Sequence, residues 1–252
     1  MTIGRRVIAR DRVTSTMDEI DALAAMGEAE GLVVVAEEQT AGRGRAGRVW
    51  HAPAGSSLLC SILLRPAVPP RDLATLPLLF GVAVAEAIES AVPVACRLKW
   101  PNDVWIDDRK VAGILMTTRA GMTVSHVTLG IGINVNVSQS NLSQGATSLL
   151  EMTGCATDRQ TLLQNLLARC DQVYHDFCEN QGHISLDRWR ARAALVGERV
   201  RVQNGDELVS GVLEGVGDDG ALLLRVEGIG TRRIVAGDLV RGPVAGPTSS
   251  SP

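Results

Sequence analysis

Two lysines lie close together in this chain, and their chemistry is the first indication of a site. Lysine and arginine together number 25, and only Lys99 and Lys110 are lysines. Arginine presents a planar fork, whereas lysine presents a compact ammonium group that reaches a single point and changes protonation more readily. Because the chain otherwise uses arginine, its two lysines indicate positions at which the smaller head group is needed. Two surface lysines left by drift in composition are the alternative.

The residues after Lys99 are typical of a tight bend with free polar groups. The segment reads Lys99-Trp-Pro-Asn-Asp103. Pro101 restricts its own φ angle and favours an extended conformation at Trp100. Asn102 and Asp103 are therefore expected at a turn, where their side chains remain available to a ligand.

The second lysine is expected at the start of an apolar strand. A hairpin turn at 107–109 precedes it, and Val111-Ala-Gly-Ile-Leu115 follows. Strict alternation predicts that Lys110 and Ala112 face one side and that Val111 and Gly113 face the other. A lysine at this place favours a functional role; an edge lysine whose head group reaches solvent is the alternative.

A loop rich in glycine and arginine has the composition of an anion site. It reads Ala41-Gly-Arg-Gly-Arg-Ala-Gly-Arg48 and places Arg43, Arg45 and Arg48 within six residues. The glycines allow the backbone to approach a ligand closely, and the guanidinium groups attract phosphate. The loop therefore predicts binding of a polyphosphate or an acyl phosphate, with closure over the ligand excluding water. A solvated basic loop, or a non-specific contact with nucleic acid, is the alternative.

The same loop contains the letters G-x-G-x-x-G but does not fit a dinucleotide-binding fold. That motif requires a helix to open at its third glycine and an acidic residue about 20 residues later. Here Pro53 and Gly55 oppose a helix, and the expected acidic position carries Leu63-Leu-Arg-Pro66. The sequence therefore argues against a dinucleotide-binding fold.

Alternating glycines predict a flat slot along one strand. In Gly130-Ile-Gly-Ile-Asn134 the two glycines leave one face of the strand without side chains. The amide of Asn134 offers both a donor and an acceptor, which matches the edge of an adenine. Close packing of strands in a barrel explains the glycines equally well.

These segments need a scaffold, and the apolar patterns predict mixed strands and helices. A helix is expected at 16–27, with Thr16 and Glu19 as a capping box and Gly27 at its end. A buried helix is expected at 72–91, kinked by Pro77 or Gly81, and a long amphipathic helix at 158–180 with a helical continuation at 184–194. Strands are expected at 32–36, 57–64, 96–100, 104–106, 111–118 and 124–135.

The pattern changes after residue 195. Short β-rich runs at 199–203, 207–215, 221–226 and 231–235 alternate with the turn dipeptides Asn204-Gly205 and Asp219-Gly220. We therefore predict an α+β fold with a catalytic domain at 1–195 and a small β-barrel at 196–243. The residues 244–252 are rich in serine and proline and are predicted to be a disordered tail.

Composition excludes several classes of protein. The net charge of −3 gives no nucleic-acid footprint, and 45% hydrophobic residues support a large core. Five cysteines without a C-x-x-C pair argue against a disulfide framework or a zinc site and favour buried free thiols. The chain shows neither a signal-peptide pattern nor a predicted membrane span, so we expect a cytoplasmic protein without a bound metal.

Taken together, these motifs resemble the biotin protein ligase family in order and spacing. The matching segments are Ser15-Thr16, Glu38–Trp50, Lys99–Asp103, Arg109–Leu115 and Gly130–Asn134. The resemblance implies a mixed β-sheet catalytic domain packed with helices, similar to class II synthetases, followed by an SH3-like β-barrel. It also implies an ATP-dependent ligase that forms biotinyl-5′-AMP and transfers biotin to a lysine of a biotin carboxyl carrier domain of an acetyl-CoA or acyl-CoA carboxylase. ATP with Mg²⁺ and biotin would be its substrates.

The resemblance also assigns roles residue by residue. Biotin binding falls to Ser15, Thr16, Gln39, Gly42, Arg43, Arg45, Lys110 and Gly113. Binding of ATP and adenylate falls to Arg45, Arg48, Trp50, Lys99, Asn102, Asp103, Lys110 and Asn134. Lys110, Arg45 and Arg48 would be catalytic, with Lys110 bridging the biotin carboxylate and the phosphate. Trp50 would stack on adenine, and Asp103 would accept a proton or contact a metal.

This chain departs from the family pattern at two places. Met17 follows Ser15-Thr16, where the family usually has asparagine, which puts a hydrogen bond at the helix end in doubt. The 14 residues before Ser15 leave no space for the helix-turn-helix domain of regulatory members, so a monofunctional ligase without DNA binding is expected. The sequence leaves open the choice of carrier protein, the affinity for the adenylate, and whether the chain is a monomer or a sheet-edge homodimer.

Two rival functions remain. A lipoate–protein ligase or octanoyl transferase shares the catalytic fold but needs a long apolar pocket, whereas a ureido ring needs the polar end formed by Ser15, Thr16 and Gln39. A non-enzymatic nucleotide- or nucleic-acid-binding module would use the basic loop and the small barrel. The 3% of aromatic residues provides no series of stacking platforms for bases.

Overall fold

The computed structural model describes residues 2–120 and 124–241, which form two β-sheets and their flanking helices. The first sheet has seven strands in the order β1-β2-β3-β7-β6-β5-β4. Its strands are β1 (Arg6–Val13), β2 (Leu32–Gln39), β3 (Ser57–Leu64), β4 (Arg97–Lys99), β5 (Asp103–Ile106), β6 (Arg109–Ala120) and β7 (Val124–Asn134). β1 and β2 are parallel, and every other neighbouring pair is antiparallel, so the sheet is mixed.

Helices cover both faces of this sheet because its central strands are apolar on both sides. Helix α1 (Thr16–Ala25) packs Ile20 and Ala24 against Val34 and Leu63 on one face. On the other face lie the long helices α2 (Leu76–Ala91) and α4 (Arg159–Glu179), whose fully buried phenylalanines belong to the main core. The remaining helices, α3 (Leu149–Thr153) and α5 (Asp187–Arg190), are short.

The segment Pro70–Ala91 has the length and composition of a membrane span. However, 72% of its most apolar window is buried inside the protein, which is the environment of a core helix. The helix proper begins at Leu76, after a 3₁₀ turn at Pro70–Thr75. Pro77 therefore lies in the first helical turn, where a missing N–H is tolerated. The kink expected at Pro77 or Gly81 stays a prediction.

Other predicted elements agree with the structure to within a few residues. β3 and the stripe of buried side chains along α4 match the sequence pattern, and Asp158 caps α4 by accepting from the backbone N–H groups of Gln160 and Thr161. The capping box at Thr16 is wrong, because Ser15 is the N-cap and Thr16 is already helical. Within the continuation expected at 184–194, only Asp187–Arg190 is α-helical.

The second sheet is antiparallel, with the order β11-β10-β9-β8-β12. Its strands are β8 (Arg199–Asn204), β9 (Glu207–Val216), β10 (Leu222–Val226), β11 (Gly230–Ile234) and β12 (Asp238–Arg241). Gly205 and Gly220 have the positive φ angles that their turns require. The barrel-like module and the mixed sheet confirm the α+β class. The boundary at 195/196 stays a prediction, and the tail predicted at 244–252 lies outside the described residues.

Candidate active site

A cavity of about 490 Å³ opens on the face of the first sheet that carries α1. It gathers nearly all of the predicted site residues from segments far apart in the chain. These lining residues are Ser15, Thr16, Gln39, Arg43, Arg45, Arg48, Trp50, Lys99, Asn102, Asp103, Lys110, Gly113 and Asn134. Gly42 does not line this cavity within the described part of the chain. Its backbone instead shapes the loop, since its carbonyl accepts the N–H of Trp50 at 2.9 Å.

The start of α1 forms a polar end of the cavity. The backbone N–H and the hydroxyl of Thr16 both donate to Gln39 Oε1, at 2.8 and 3.1 Å. The Thr16 hydroxyl also lies 2.7 Å from the hydroxyl of Ser61, and Ser15 accepts from the N–H of Met17. Ser15 and Thr16 are both buried, so these hydrogen bonds fix their orientation. Ser61 was not expected here from the sequence.

Lys110 points into the cavity, and the expected alternation along its strand is wrong. Its Nζ lies 2.7 Å from Asp103 Oδ1. A Cβ built on Gly113 would meet that Nζ at 3.0 Å, so Lys110 lies on the side of Gly113, whereas the prediction placed it with Ala112. The reason is a β-bulge: Trp105 pairs with Lys110 but Val104 pairs with Ala112, which leaves Val111 as an extra residue.

The slot predicted above the alternating glycines is filled by a ring of the chain itself. A Cβ on Gly132 would lie 2.7 Å from the indole of Trp50, and one on Gly113 would lie 3.1 Å from it. Gly130, the other glycine of the predicted slot, faces the thioether of Met17. Lys110 Nζ lies 5.5 Å from the centre of the Trp50 ring. The indole therefore forms a wall of the cavity beside the ammonium group.

Two arginines of the glycine–arginine loop, Arg45 and Arg48, contact the terminal module. Arg45 donates to Asn102 Oδ1 at 3.3 Å and to the carbonyl of Gly237 at 3.0 Å. Arg48 donates to the carboxylate of Asp238 at 2.9 Å. Burial lowers the pKa of Arg45 from its ordinary value, and the nearby Asp238 opposes that effect. Both guanidinium groups thus face the cavity while contacting the terminal module.

The third arginine and the first lysine lie at different sides of the cavity. Arg43 forms an ion pair with Asp18 in the first turn of α1. Lys99 Nζ lies 4.8 Å from the centre of the Trp105 ring, a favourable cation–π distance. Burial lowers the pKa of Lys99, and the carboxylate of Asp103 opposes that shift. The cavity therefore holds a local excess of positive charge in a chain whose net charge is −3.

The two predicted asparagines are fixed by hydrogen bonds to backbone carbonyls. Asn102 donates to the carbonyl of Ile114 at 2.7 Å. Asn134 is buried and donates to the carbonyl of Thr147 at 3.0 Å. Part of the amide of Asn134 is therefore engaged by the protein, and its predicted contact with adenine stays a prediction.

The sequence patterns missed a segment that covers Lys110. Residues 141–146 line the cavity, and residues 145 and 147 bind the backbone of Lys110 on both sides. The N–H of Lys110 donates to the carbonyl of Gly145 at 2.9 Å, and the N–H of Thr147 donates to the carbonyl of Lys110 at 2.8 Å. The segment has neither a charge cluster nor a period, so no signal in the sequence identified it. Trp105 was missed as well.

The described residues offer no preformed metal centre. Across 2–120 and 124–241, no group of three or more His, Cys, Asp or Glu side chains is arranged to hold a metal ion. The cations and hydrogen-bond donors around the cavity instead suit an anionic ligand with a polar ring and a flat aromatic part.

Known proteins resemble this chain in both sequence and structure. Residues 7–134 match the model of the biotin/lipoate A/B protein ligase family. The chain is 35% identical to the bifunctional ligase/repressor BirA of Bacillus spizizenii, over 95% of this chain and 75% of that protein. It is 36% identical to the biotin–[acetyl-CoA-carboxylase] ligase of Mycobacterium tuberculosis, over 90% of this chain and 85% of that protein.

Solved structures agree with the sequence relatives. The biotin protein ligase of Aquifex aeolicus in complex with biotin and ATP superimposes with a TM-score of 0.82 at 31% identity. The match covers 94% of this chain and all of that one. The family match at 7–134 includes every sequence motif around the cavity, and the alignments with the relatives also cover the terminal module. The chain belongs to the biotin/lipoate A/B protein ligase family.

Proposed function

We propose that this protein is a biotin–[biotin carboxyl carrier protein] ligase. It activates biotin with ATP as biotinyl-5′-AMP and then transfers the biotinyl group to a lysine of a carrier domain. The observation that carries this assignment is the position of Lys110, whose Nζ pairs with Asp103 at 2.7 Å inside a cavity lined by Arg45, Arg48 and Trp50. Relatives whose names specify biotin ligation support the choice of substrate.

The first half-reaction joins two anions. A biotin carboxylate oxygen attacks the α-phosphorus of ATP, the bond from that phosphorus to the bridging oxygen breaks, and pyrophosphate leaves. Negative charges must be brought together, and cationic donors lower that barrier electrostatically. We assign Lys110 to the carboxylate and the α-phosphate, and Arg45 and Arg48 to the phosphates. Mg²⁺ would enter with the nucleotide as part of the substrate.

The second half-reaction needs an uncharged amine. The carrier lysine attacks the acyl carbon of the adenylate, AMP leaves, and the amine loses a proton. Lys110 stabilises the charge that returns to the phosphate, which is the same place at which it acts in the first step. We assign the ureido ring to Ser15, Thr16 and Gln39, together with the backbone from Gly42 to Arg45. Gly113 would lie beside the ligand, and Trp50 and Asn134 would bind the adenine.

The polar end of the cavity favours biotin over a fatty acyl group as the ligand. Gln39 Oε1 accepts from Thr16, and the side chains of Ser15, Thr16 and Ser61 cluster beside it. A lipoyl or octanoyl tail would shield this cluster from water without offering it a further hydrogen bond, which is costly. The cluster therefore favours a ring with its own donors and acceptors.

Pyrophosphate exchange tests the assignment. Labelled pyrophosphate should enter ATP only when biotin is present, because exchange requires reversible formation of the adenylate. Exchange with lipoate or octanoate in place of biotin would favour the rival acyl ligase. No exchange with any of these acids would favour a nucleotide-binding module without this activity.

The remaining expectations belong to this proposal. The net charge of −3 supports a protein that does not bind an operator, and specific operator binding at physiological salt would contradict it. We retain a cytoplasmic location and a carrier domain of a carboxylase as partner. A monomer and a sheet-edge homodimer stay alternatives, which sedimentation would separate.

A further inference from the structure

The start of strand β12 in the terminal module contacts two arginines of the glycine–arginine loop, Arg45 and Arg48. Asp238 lies 2.9 Å from the Nη2 atom of Arg48 and 3.7 Å from Nη1 of Arg45. The preceding carbonyl, that of Gly237, accepts from Arg45 at 3.0 Å. The loop and the strand are about 190 residues apart in sequence, since the hydrogen bond from Arg48 to Asp238 spans 190 positions. This contact therefore exists only when the terminal module is docked.

A carboxylate beside these cations could either compete with phosphate for them or hold them in place. A competitor for phosphate would lie in the cavity, in front of the guanidinium groups. Within the described part of the chain, Arg45 and Arg48 line the cavity and Asp238 does not. Asp238 thus binds both guanidinium groups without itself lining the cavity that would receive the anion.

The opposite end of β12 is also attached to the site. Arg241 donates to Asp108 at 3.0 Å, in the hairpin that leads to Lys110, and to Glu198 at 2.7 Å. Asp108 itself lines the cavity. One short strand therefore contacts the glycine–arginine loop at its first residue and the lysine hairpin at its last.

We propose that Asp238 is a positioning residue that holds Arg45 and Arg48 in the orientation that receives the nucleotide phosphates. This inference rests on the proposed function for its kinetic test. A guanidinium group that is already oriented loses less freedom when phosphate binds, so removing the carboxylate should weaken the use of ATP more than that of biotin.

Three variants test the proposal. D238N removes the charge and nearly keeps the shape, and D238E keeps the carboxylate. E207Q is the control, because Glu207 forms a comparable ion pair with Arg232 in the same module and does not line the cavity. Exposed ion pairs contribute little to stability, so all three variants are expected to fold.

In biotin-dependent exchange, D238N should raise the KM for ATP about tenfold, less than the 10²–10³ expected when a donor itself is lost. Its KM for biotin should stay near that of the wild type, which a general loss of structure would not allow. D238E should recover most of the affinity for ATP. If D238N uses ATP as well as E207Q does, or if D238E is as impaired as D238N, the proposal is overturned.

Trypsin provides a second readout that needs no activity. It cleaves after arginine, and the ligand-free loop should be cut at 43–48 several times faster in D238N than in the wild type or E207Q. Equal cleavage in D238N and E207Q would also overturn the proposal. If the wild type shows no biotin-dependent exchange, the proposed function fails, and cleavage still decides whether Asp238 holds the loop.

Discussion

The ammonium group of Lys110 occupies a narrow place between the carboxylate of Asp103 and the indole of Trp50. Its Nζ is 2.7 Å from the carboxylate and 5.5 Å from the centre of the ring. An arginine has a larger, planar head group that does not fit the same space, although it keeps the charge. We therefore expect K110R to catalyse exchange about 10²–10³-fold more slowly than the wild type.

The matched control for K110R is R119K, which makes an arginine–lysine exchange on the same strand. Arg119 is exposed and does not line the cavity. Exchange rates of both variants, measured with saturating biotin and ATP, check the prediction. Near-normal exchange by K110R would refute the catalytic role of the ammonium group.

Gly132 tests the position of Trp50. A methyl group at this residue would lie 2.7 Å from the indole, closer than side chains pack, so the ring must move away from the slot. We expect G132A to raise the KM for ATP about tenfold, since the displaced ring no longer meets the adenine. G81A is the control, because a methyl group there finds only an ordinary contact at 3.7 Å. Equal KM values for the two variants would contradict the role of Trp50.

Residue types and spacing predicted which side chains meet in the cavity, but not how they are arranged. The motifs identified Lys110, Arg45 and Gln39 without any structure. The direction of Lys110 could not be predicted, because the bulge at Val111 depends on the pairing with the neighbouring strand. The occupant of the glycine slot could not be predicted either, because Trp50 reaches Gly132 from a separate loop.

At the scale of elements, the apolar patterns predicted the buried parts well. The strand at Ser57–Leu64 has eight buried residues and was predicted at its observed bounds. β1 was missed because it is an edge strand in which half of the residues are charged and most are exposed. The segment before α3 was missed because its contacts are backbone hydrogen bonds, which leave no mark on the choice of side chains.

Ser148 tests the structural contribution of that segment. It is buried, caps α3 by accepting from the N–H of Glu151, and donates to the carbonyl of Val137 at 2.6 Å. Replacing it with alanine leaves both backbone groups without a partner. S148A should therefore lose about 1–2 kcal/mol of unfolding free energy.

Urea denaturation of S148A and of S140A measures this difference. Ser140 is exposed in the same region, so its variant should unfold at the same urea concentration as the wild type. An unchanged midpoint for S148A would show that the cap does not stabilise the segment that covers Lys110.

At the scale of the whole molecule, the five thiols differ in how deeply they are buried. All five cysteines are free; Cys60, Cys96 and Cys170 are buried, and Cys155 is exposed, which corrects the expectation that every thiol is buried. Burial raises the pKa of Cys60 and Cys96 to about 12, so few thiolates exist there at neutral pH. A thiol reagent should therefore modify Cys155 first, and the three buried cysteines only after unfolding.

The same shifts predict how stability changes with pH. Between pH 9, the ordinary pKa of these thiols, and pH 12, the folded state keeps protons that the unfolded chain releases. The contribution of these groups to stability is therefore complete below pH 9 and is lost as the pH rises through that range. Mass spectrometry after thiol labelling checks which cysteines react first, and urea denaturation at several pH values checks the change in stability. Rapid modification of Cys60 in the native protein at pH 8 would contradict this description of the core.

The composition and the change of pattern near residue 196 predicted a large mixed domain followed by a small β module. The docking of that module on the loop and the hairpin could not be predicted, because Asp238 and Arg241 belong to no motif and meet their partners only in the folded chain.

The most direct test of the account is a crystal structure of this protein with biotin and a non-hydrolysable ATP analogue. We predict that Nζ of Lys110 lies within hydrogen-bond distance of both the biotin carboxylate and the α-phosphate, with Arg45 and Arg48 on the phosphates. Ligands bound elsewhere, or an ammonium group that contacts only solvent and Asp103, would contradict the account.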